Sequence, residues 1–580
     1  MKTANKYGGD TPILGIIFFS FTCISPWIDD YFREESFHPV FGYLCLSSLF
    51  LLYYAIWGNE RVRIEVVDLS VISFACYQLL SLIWTESITL LTICECSLWF
   101  FLYITVRCFL VLHPKNRRYG IMAIIISGLF QSIIALLQMS GVLQSNHCYF
   151  DMTGNFANPG PFGGYLALSG NLAIAMLYFY WHELKSFLRV SGIISVLFLI
   201  IMCFYSDSRA AWIAIFIPTC WLLMKCKHLK RTKSIAIPLF LFFAISIWGL
   251  YSYRKDSVDG RLLIWKISTN MIQEKPFSGW GISAFQTNYM KFQQNYFEEF
   301  PYTEKEALLA SDNVFAFNEI IRILCEYGIV GFILLLGIIW GLLRCYPYFN
   351  RISNVAFCGL ISYSCFSCFS YPNSVFPFKI VLPLLLAIAA SSVKTGKRMP
   401  LNKKERTATI CFILLLNIYV VKEWAYLNNI EKTLLHFYGF EDDIEKEKLH
   451  EEYDNYSNYS LLVTKVGNVF FEKGFYNEAI PILHQSLKLY PRGQGCIDLG
   501  YAYLYTRDTT AAKHQFLLAS YMLPAFITPV YNLFSIYKDC HQTDSAYFYA
   551  RKIITMPIKK EASYTKSVQE EAQEYSKTIY

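Results

Sequence analysis

Residues 185–233 read KSFLRVSGIISVLFLIIMCFYSDSRAAWIAIFIPTCWLLMKCKHLKRTK, and this stretch decides the fold class. It holds two apolar runs, 190–206 and 208–225, each about the 17–25 residues that a helix needs to cross a bilayer. A two- or three-residue connection at Ser206-Asp207-Ser208 joins them. Lys185 and Arg189 stand before the first run, and Lys225, Lys227, Lys230, Arg231 and Lys233 follow the second. Two spans joined by a tight turn, with basic residues at both far ends, form a transmembrane hairpin whose basic side faces the cytoplasm.

The same pattern continues outward in both directions. Apolar runs at 11–28, 37–58, 66–84, 88–112, 119–143, 160–181, 190–206, 208–225, 234–251, 314–343, 352–370, 374–391 and 407–424 predict an all-α, polytopic bundle of 12 or 13 spans. The first run lacks a compact charged leader and a small-residue cleavage site, so it reads as a retained helix. With Lys2 and Lys6 inside, the basic residues fall on alternate connections: Arg61 and Arg63, then Lys115, Arg117 and Arg118, then the clusters just quoted, then Arg344 and Arg351. Lys394, Lys397, Arg398, Lys403, Lys404 and Arg406 complete the series. This register puts residues 252–313, and everything after 425, outside the cytoplasm.

Composition agrees, because 54% of residues are hydrophobic and only 16% charged, against about a quarter charged in soluble domains. The formal net charge of +7 resides mostly in short loops, where it orients helices, so no nucleic-acid partner is implied. Cysteines such as Cys94, Cys96, Cys365 and Cys368 lie inside apolar runs without histidine neighbours, a pattern that predicts neither metal ligands nor a disulfide framework.

Residues 1–429 therefore form a membrane domain with a long outer loop at about 252–313, and residues 430–580 form a second domain. In the latter, Gly467, Ala479 and Pro491 recur as Gly500, Ala512 and Pro524. Ala546 and Pro557 mark a degenerate third copy. A period near 34 with a helix-terminating proline is the tetratricopeptide pattern, an α-solenoid of stacked helix pairs; a generic helical-hairpin domain fits the same spacing. Either supplies a surface for a protein partner and no acid–base set.

Three segments carry chemistry. Arg209 opens a span on the outer side, where it opposes the helix dipole and adds nothing to orientation; an anionic ligand would hold it there, as would lipid phosphate. Arg261 is expected at the start of an amphipathic surface helix whose apolar face is Leu262, Trp265 and Ile272, ended by a turn at Gly279 and Gly281. The third segment, DNVFAFNEIIRILCEYGIVG at 312–331, predicts a helix from about Val314, with Asn318, Arg322 and Glu326 on one face and Glu319 one turn from Arg322.

In order, SRAAW at 208–212, GR…W…P…GxG from 260 to 281 and Asn318 followed by nine residues and Gly328 resemble the O-antigen ligase and polymerase superfamily of bacterial membrane glycosyltransferases. Gly154 to Pro159, GNFANP, fits the same pattern. The resemblance covers about 150–345. It implies transfer of a glycan from undecaprenyl pyrophosphate to an acceptor hydroxyl at the periplasmic face of the inner membrane, without metal or other cofactor. It assigns Arg209 and Arg261 to the donor pyrophosphate; Asn158, Asp312, Asn318 and Arg322 are the candidate substrate-binding residues. One departure stands out: Phe317 occupies the position where ligases carry histidine. Another group, Glu319 or Asp312, then serves as base, with Glu319 the candidate because it follows the matching Asn318; alternatively leaving-group stabilisation suffices without a dedicated base, or the acceptor differs. The acceptor is lipid A-core, another glycan (a repeat-unit polymerase) or a protein (an O-oligosaccharyltransferase). A lipid-linked-glycan transporter and a scaffold are the non-enzyme alternatives.

Overall fold

The computed structural model describes residues 15, 19–26, 37–57, 62–86, 90–225, 255–393, 396–399, 403–440, 443–559 and 563–579. The expected span 234–251, and half of 11–28, lie outside the described residues. Among the described residues the chain is all-α apart from one short antiparallel ladder, in which Val62–Ile64 pairs with Lys397–Met399. Among the described residues, eight helices are long and apolar enough to cross a membrane. This is a multi-pass membrane protein.

The helices in chain order are α1 (Phe37–Trp57), α2 (Val66–Ser81), α3 (Leu90–Leu112), α4 (Arg117–Met139), α5 (Pro159–Tyr180), α6 (Ser186–Tyr205) and α7 (Arg209–Lys225). Next come α8 (Lys255–Glu274), α9 (Ala284–Glu299), α10 (Glu304–Leu309), α11 (Glu319–Cys345), α12 (Arg351–Ser367), α13 (Phe376–Ala390) and α14 (Lys403–Phe440). The remainder are α15 (Asp443–Glu451), α16 (Tyr453–Tyr456), α17 (Ser460–Glu472), α18 (Tyr476–Leu489), α19 (Gly493–Tyr505), α20 (Thr509–Met522), α21 (Ile527–Asp539), α22 (Thr543–Thr555) and α23 (Ser563–Ile579). The chain divides into two compact units. One is 1–83, 90–253 and 317–424; the other is 84–89, 254–316 and 425–580. The 38-residue α14 runs through 429–430 without a break.

In the first unit α5 is the central helix, packed against α4, α6, α7 and α12. Small residues allow this. A Cβ at Gly164 would lie 2.3 Å from the Phe366 ring, and one at Gly163 would lie 2.3 Å from Ser206 Oγ. Membrane helices associate through such close packing and through polar side chains shared between helices. Asn171 supplies the latter, since its Nδ2 donates to the Ala214 carbonyl (2.7 Å) and to Ser362 Oγ (3.0 Å), joining α5 to α7 and α12. A second buried network ties α2 to α3. Arg107 donates to Asp68 through Nε (2.9 Å) and Nη2 (2.7 Å), Tyr103 donates to the same carboxylate, and Asp68 accepts the Glu65 N–H at the start of α2.

In the second unit the hairpins α17–α18, α19–α20 and α21–α22 begin at Ser460, Gly493 and Ile527, a repeat of 33 and 34 residues. Ala479, Ala512 and Ala546 are fully buried at equivalent places. Each first helix ends on a left-handed residue, Gly474, Arg507 or His541. The same two bonds close each turn: Gly474 N to Phe471 O with Phe475 N to Phe470 O, repeated from 507 and 508, and again from 541 and 542. That is the Schellman closure of a helix C-terminus. The third copy looks degenerate in sequence because its packing is inverted. Gly467 faces Leu483 and Gly500 faces Phe516, whereas in the third hairpin the large residue, Phe534, is on the first helix and the small one, Ala550, on the second. Size is conserved across the pair, not at each position.

Candidate functional site

At the start of α5 in the first unit, α4, the turn before α5 and the turn between α6 and α7 come together. The turn before α5 is pinned by two glutamines of α4. Gln138 Oε1 accepts the Thr153 and Gly154 N–H groups (3.0 and 2.9 Å), its Nε2 donates to the Gly154 carbonyl (2.8 Å), and Gln131 Oε1 accepts the Asn155 N–H (2.8 Å). Gly154 is left-handed (φ 58°), and a Cβ there would lie 2.7 Å from Gln131 Oε1. Asn158 is extended (φ −141°, ψ 142°), as a residue before proline must be, and it is half-buried.

The turn 206–208 lies directly on this helix start. Asp207 is left-handed (φ 60°), which reverses the chain between α6 and α7. Ser208 Oγ donates to the Gly160 carbonyl (3.3 Å), so its hydroxyl reaches across to α5. Arg209 is the first residue of α7 and is half-buried. Its position at the first turn is as the sequence predicts.

The segment around Asn318 departs from expectation. The helix starts at Glu319 and not near Val314, because Phe317 is left-handed (φ 50°) and Asn318 is the cap, its Oδ1 accepting the Ile320 and Ile321 N–H groups (2.9 and 3.2 Å). Asn318 therefore does not share a helix face with Arg322 and Glu326. Arg322 bridges two buried carboxylates instead, Nε to Glu319 (2.7 Å) and Nη1 to Glu326 (2.5 Å). Glu319 also accepts the Asn373 N–H (3.0 Å) and Nδ2–H (2.9 Å), and Tyr363 OH donates to Asn373 Oδ1. Phe317 packs edge-on against Tyr371 with centroids 5.2 Å apart. Nine residues on, α11 breaks: Gly328 has φ 59° and ψ −162°, a conformation open to glycine alone, and Tyr77 OH donates to the freed Tyr327 carbonyl (3.2 Å).

In the second unit Arg261 lies in the second turn of α8, half-buried. The buried stripe of this helix is Leu263, Ile267 and Met271, while Leu262 is 50% exposed. The apolar face is thus displaced from the predicted one, since α8 packs on α9 and α10. Lys266 joins the three helices, donating to Glu306 Oε1 (2.7 Å) and Tyr296 OH (2.6 Å). Burial alone would raise the Glu306 carboxyl, but hydrogen bonds from Lys266, the Thr303 N–H and Tyr296 outweigh it and hold it at about 2. Asp312 is engaged in the same unit, its oxygens accepting the Gly493 N–H (2.7 Å) and the Gln494 N–H (3.1 Å).

The structure thus brings Glu319 and Arg322 together and sets Arg209 at the α5 start near Asn158. Arg209 belongs to one compact unit and Arg261 to the other. Asn373, Gln131 and Gln138 are not among the sequence-predicted residues, although two amides seven residues apart in an apolar span, and a Pro372-Asn373 pair before another, are signals of polar work inside a membrane helix bundle. Residues 194–336 match the family model described as O-antigen ligase. That match encloses Arg209, Arg261 and the α11 start, and it supports glycosyl transfer of the ligase or polymerase type. No curated protein matches the chain.

Proposed function

Taking as premise that the chain carries an O-antigen ligase family domain at residues 194–336, we propose that it transfers a glycan from undecaprenyl pyrophosphate to an acceptor hydroxyl at the periplasmic face of a bacterial inner membrane. The observation that carries this reading is Arg209, a guanidinium on the first turn of an apolar helix, inside the matched domain and beside the pinned start of α5. Helix N–H groups and a guanidinium fork suit a pyrophosphate.

In the reaction the acceptor oxygen attacks the anomeric carbon, and the bond from that carbon to the pyrophosphate oxygen breaks with its electron pair staying on phosphate. Arg209 and Arg261 neutralise the charge that develops there, a role that metal ions fill in other transferases. The acceptor proton passes to Glu319. Three of the roughly four lone-pair positions of that carboxylate are taken by Asn373 and Arg322, which aim the remaining one. Asn158, Asn318 and Arg322 line the substrate side, and Asp312 contributes from the outer loop. Phe317 favours a second reading at the acceptor: with no histidine at that position, the acceptor differs from that of the ligases, as in a repeat-unit polymerase or a protein O-oligosaccharyltransferase.

Transfer assayed with membranes and lipid-linked glycan tests both readings. Arg209→Ala and Arg261→Ala should each lower it by about 10²–10³-fold, with Arg→Lys recovering little. Glu319→Gln should lower it by roughly 10²–10⁴-fold. Normal transfer by both alanine variants would remove the donor assignment and leave a scaffold or carrier-lipid transporter. Gels of lipopolysaccharide, capsule and glycoprotein from a deletion strain identify the acceptor.

A further inference from the structure

The hairpin α19–α20 leaves polar backbone groups free at both its ends, and another part of the chain takes them. A helix has no internal partner for its first N–H groups or last carbonyls. Arg492, at the N-cap position of α19, has no side-chain acceptor to offer. Asp312 supplies one, binding the Gly493 and Gln494 N–H groups at 2.7 and 3.1 Å, where the helix dipole also favours a carboxylate. At the far end of the hairpin Gln293 Nε2 donates to the carbonyl of Met522, the last residue of α20 (2.7 Å), and also to Ser311 O (3.2 Å). A third fastening comes from Lys559, beyond α22, whose Nζ donates to the Ala310 carbonyl (3.3 Å).

Packing follows the same route. Helix α9 lies on α20, and nine residues of its sixteen are buried, including Tyr289, Phe292, Tyr296 and Phe297. So large a buried share on a helix this polar requires cover on more than one side. Cover comes from α20 on one flank and α8 on the other. Through α9, and through Lys266 bridging Tyr296 and Glu306, the fastening extends to α8, which carries Arg261.

We infer that the C-terminal helical hairpins are an internal clamp: their ligand is the chain's own segment 284–316, held by Asp312 and Gln293 as positioning residues, and the clamp orders α8. The face formed by the α19 start and the α20 end is thereby occupied, so a protein partner would find it only by displacing the loop. A pre-ordered α8 spares donor binding the entropy of fixing that segment. This last consequence rests on the proposed role of Arg261; the clamp itself does not.

Hydrogen exchange on the full-length protein in lipid nanodiscs tests it. Asp312→Ala and Gln293→Ala should each speed exchange in 284–299 by roughly 5- to 30-fold, as the loss of a cap does, while 527–555 keeps its protection. Asp312→Asn, which keeps an acceptor but loses the charge, should give a smaller rise. Unchanged exchange in 284–299 for both alanine variants would overturn the clamp. If Asp312→Ala loses protection throughout the unit, Gln293→Ala decides alone. In the transfer assay Gln293→Ala, which lies outside the proposed substrate-binding set, should raise the KM for lipid-linked donor with kcat little changed; an equal loss in kcat would argue against positioning. Should Arg261→Ala transfer normally while Asp312→Ala still loosens 284–299, the donor reading falls and the clamp stands.

Discussion

At the scale of single residues, one buried ion pair serves to hold the bundle together. Arg107 and Asp68 are 5% and 7% exposed and satisfy one another, with Tyr103 completing the set. Arg107→Leu strands a carboxylate and should cost about 3–5 kcal/mol, read as loss of the folded fraction on thermal titration in detergent. Adding Asp68→Leu should restore part of it, because removing both charges also removes the desolvation penalty. The place of Arg209 at the first turn of α7 is legible in the sequence alone, since Ser206-Asp207-Ser208 breaks the apolar pattern just before it. Asn373 is not, because its meaning depends on Glu319, 54 positions away in sequence. Leu262 lies off the buried face of α8 for a related cause: three apolar residues allow adjacent stripes, and the packing partner α9 chooses between them.

Elements show where the backbone itself is specified. Gly328 breaks α11 in a region closed to side chains, so Gly328→Ala should destabilise by about 1–3 kcal/mol and straighten the helix, visible as altered exchange at Tyr327. The residue pattern predicts one unbroken helix here because the flanking residues are good helix formers and a lone glycine in an apolar span is common. Conversely, Arg507 and His541 adopt left-handed conformations that the first hairpin gives to Gly474. Arg507→Gly and His541→Gly should each hold the fold or stabilise it by up to about 1 kcal/mol, measured by urea unfolding. The helix-pair period is readable from Gly, Ala and Pro spacing, whereas the loop's attachment to those pairs is not, since hydrogen bonds such as Gln293 to Met522 join residues 229 apart with no shared pattern.

For the whole molecule, two tests address organisation. Reporter fusions after residues 230 and 400 should report cytoplasm, and those after 290 and 450 periplasm; a cytoplasmic signal at 450 would mean that 407–424 does not span. The second test is pH. Glu306 has its carboxyl lowered from 4.5 to about 2, so its contribution is present above about 4.5 and is lost as pH falls through about 2. Limited proteolysis between α8 and α10 should therefore accelerate across that window, and Glu306→Gln should flatten the dependence. The inverted third hairpin also bears on heredity. A crossover within the equivalent turns at 507 and 541 would join α19 to α22, setting Gly500 opposite Ala550 over a void, or α21 to α20, forcing Phe534 against Phe516. In evolution, therefore, this tail cannot recombine its second and third copies at those turns, whereas the first and second, which share one size pattern, can exchange there.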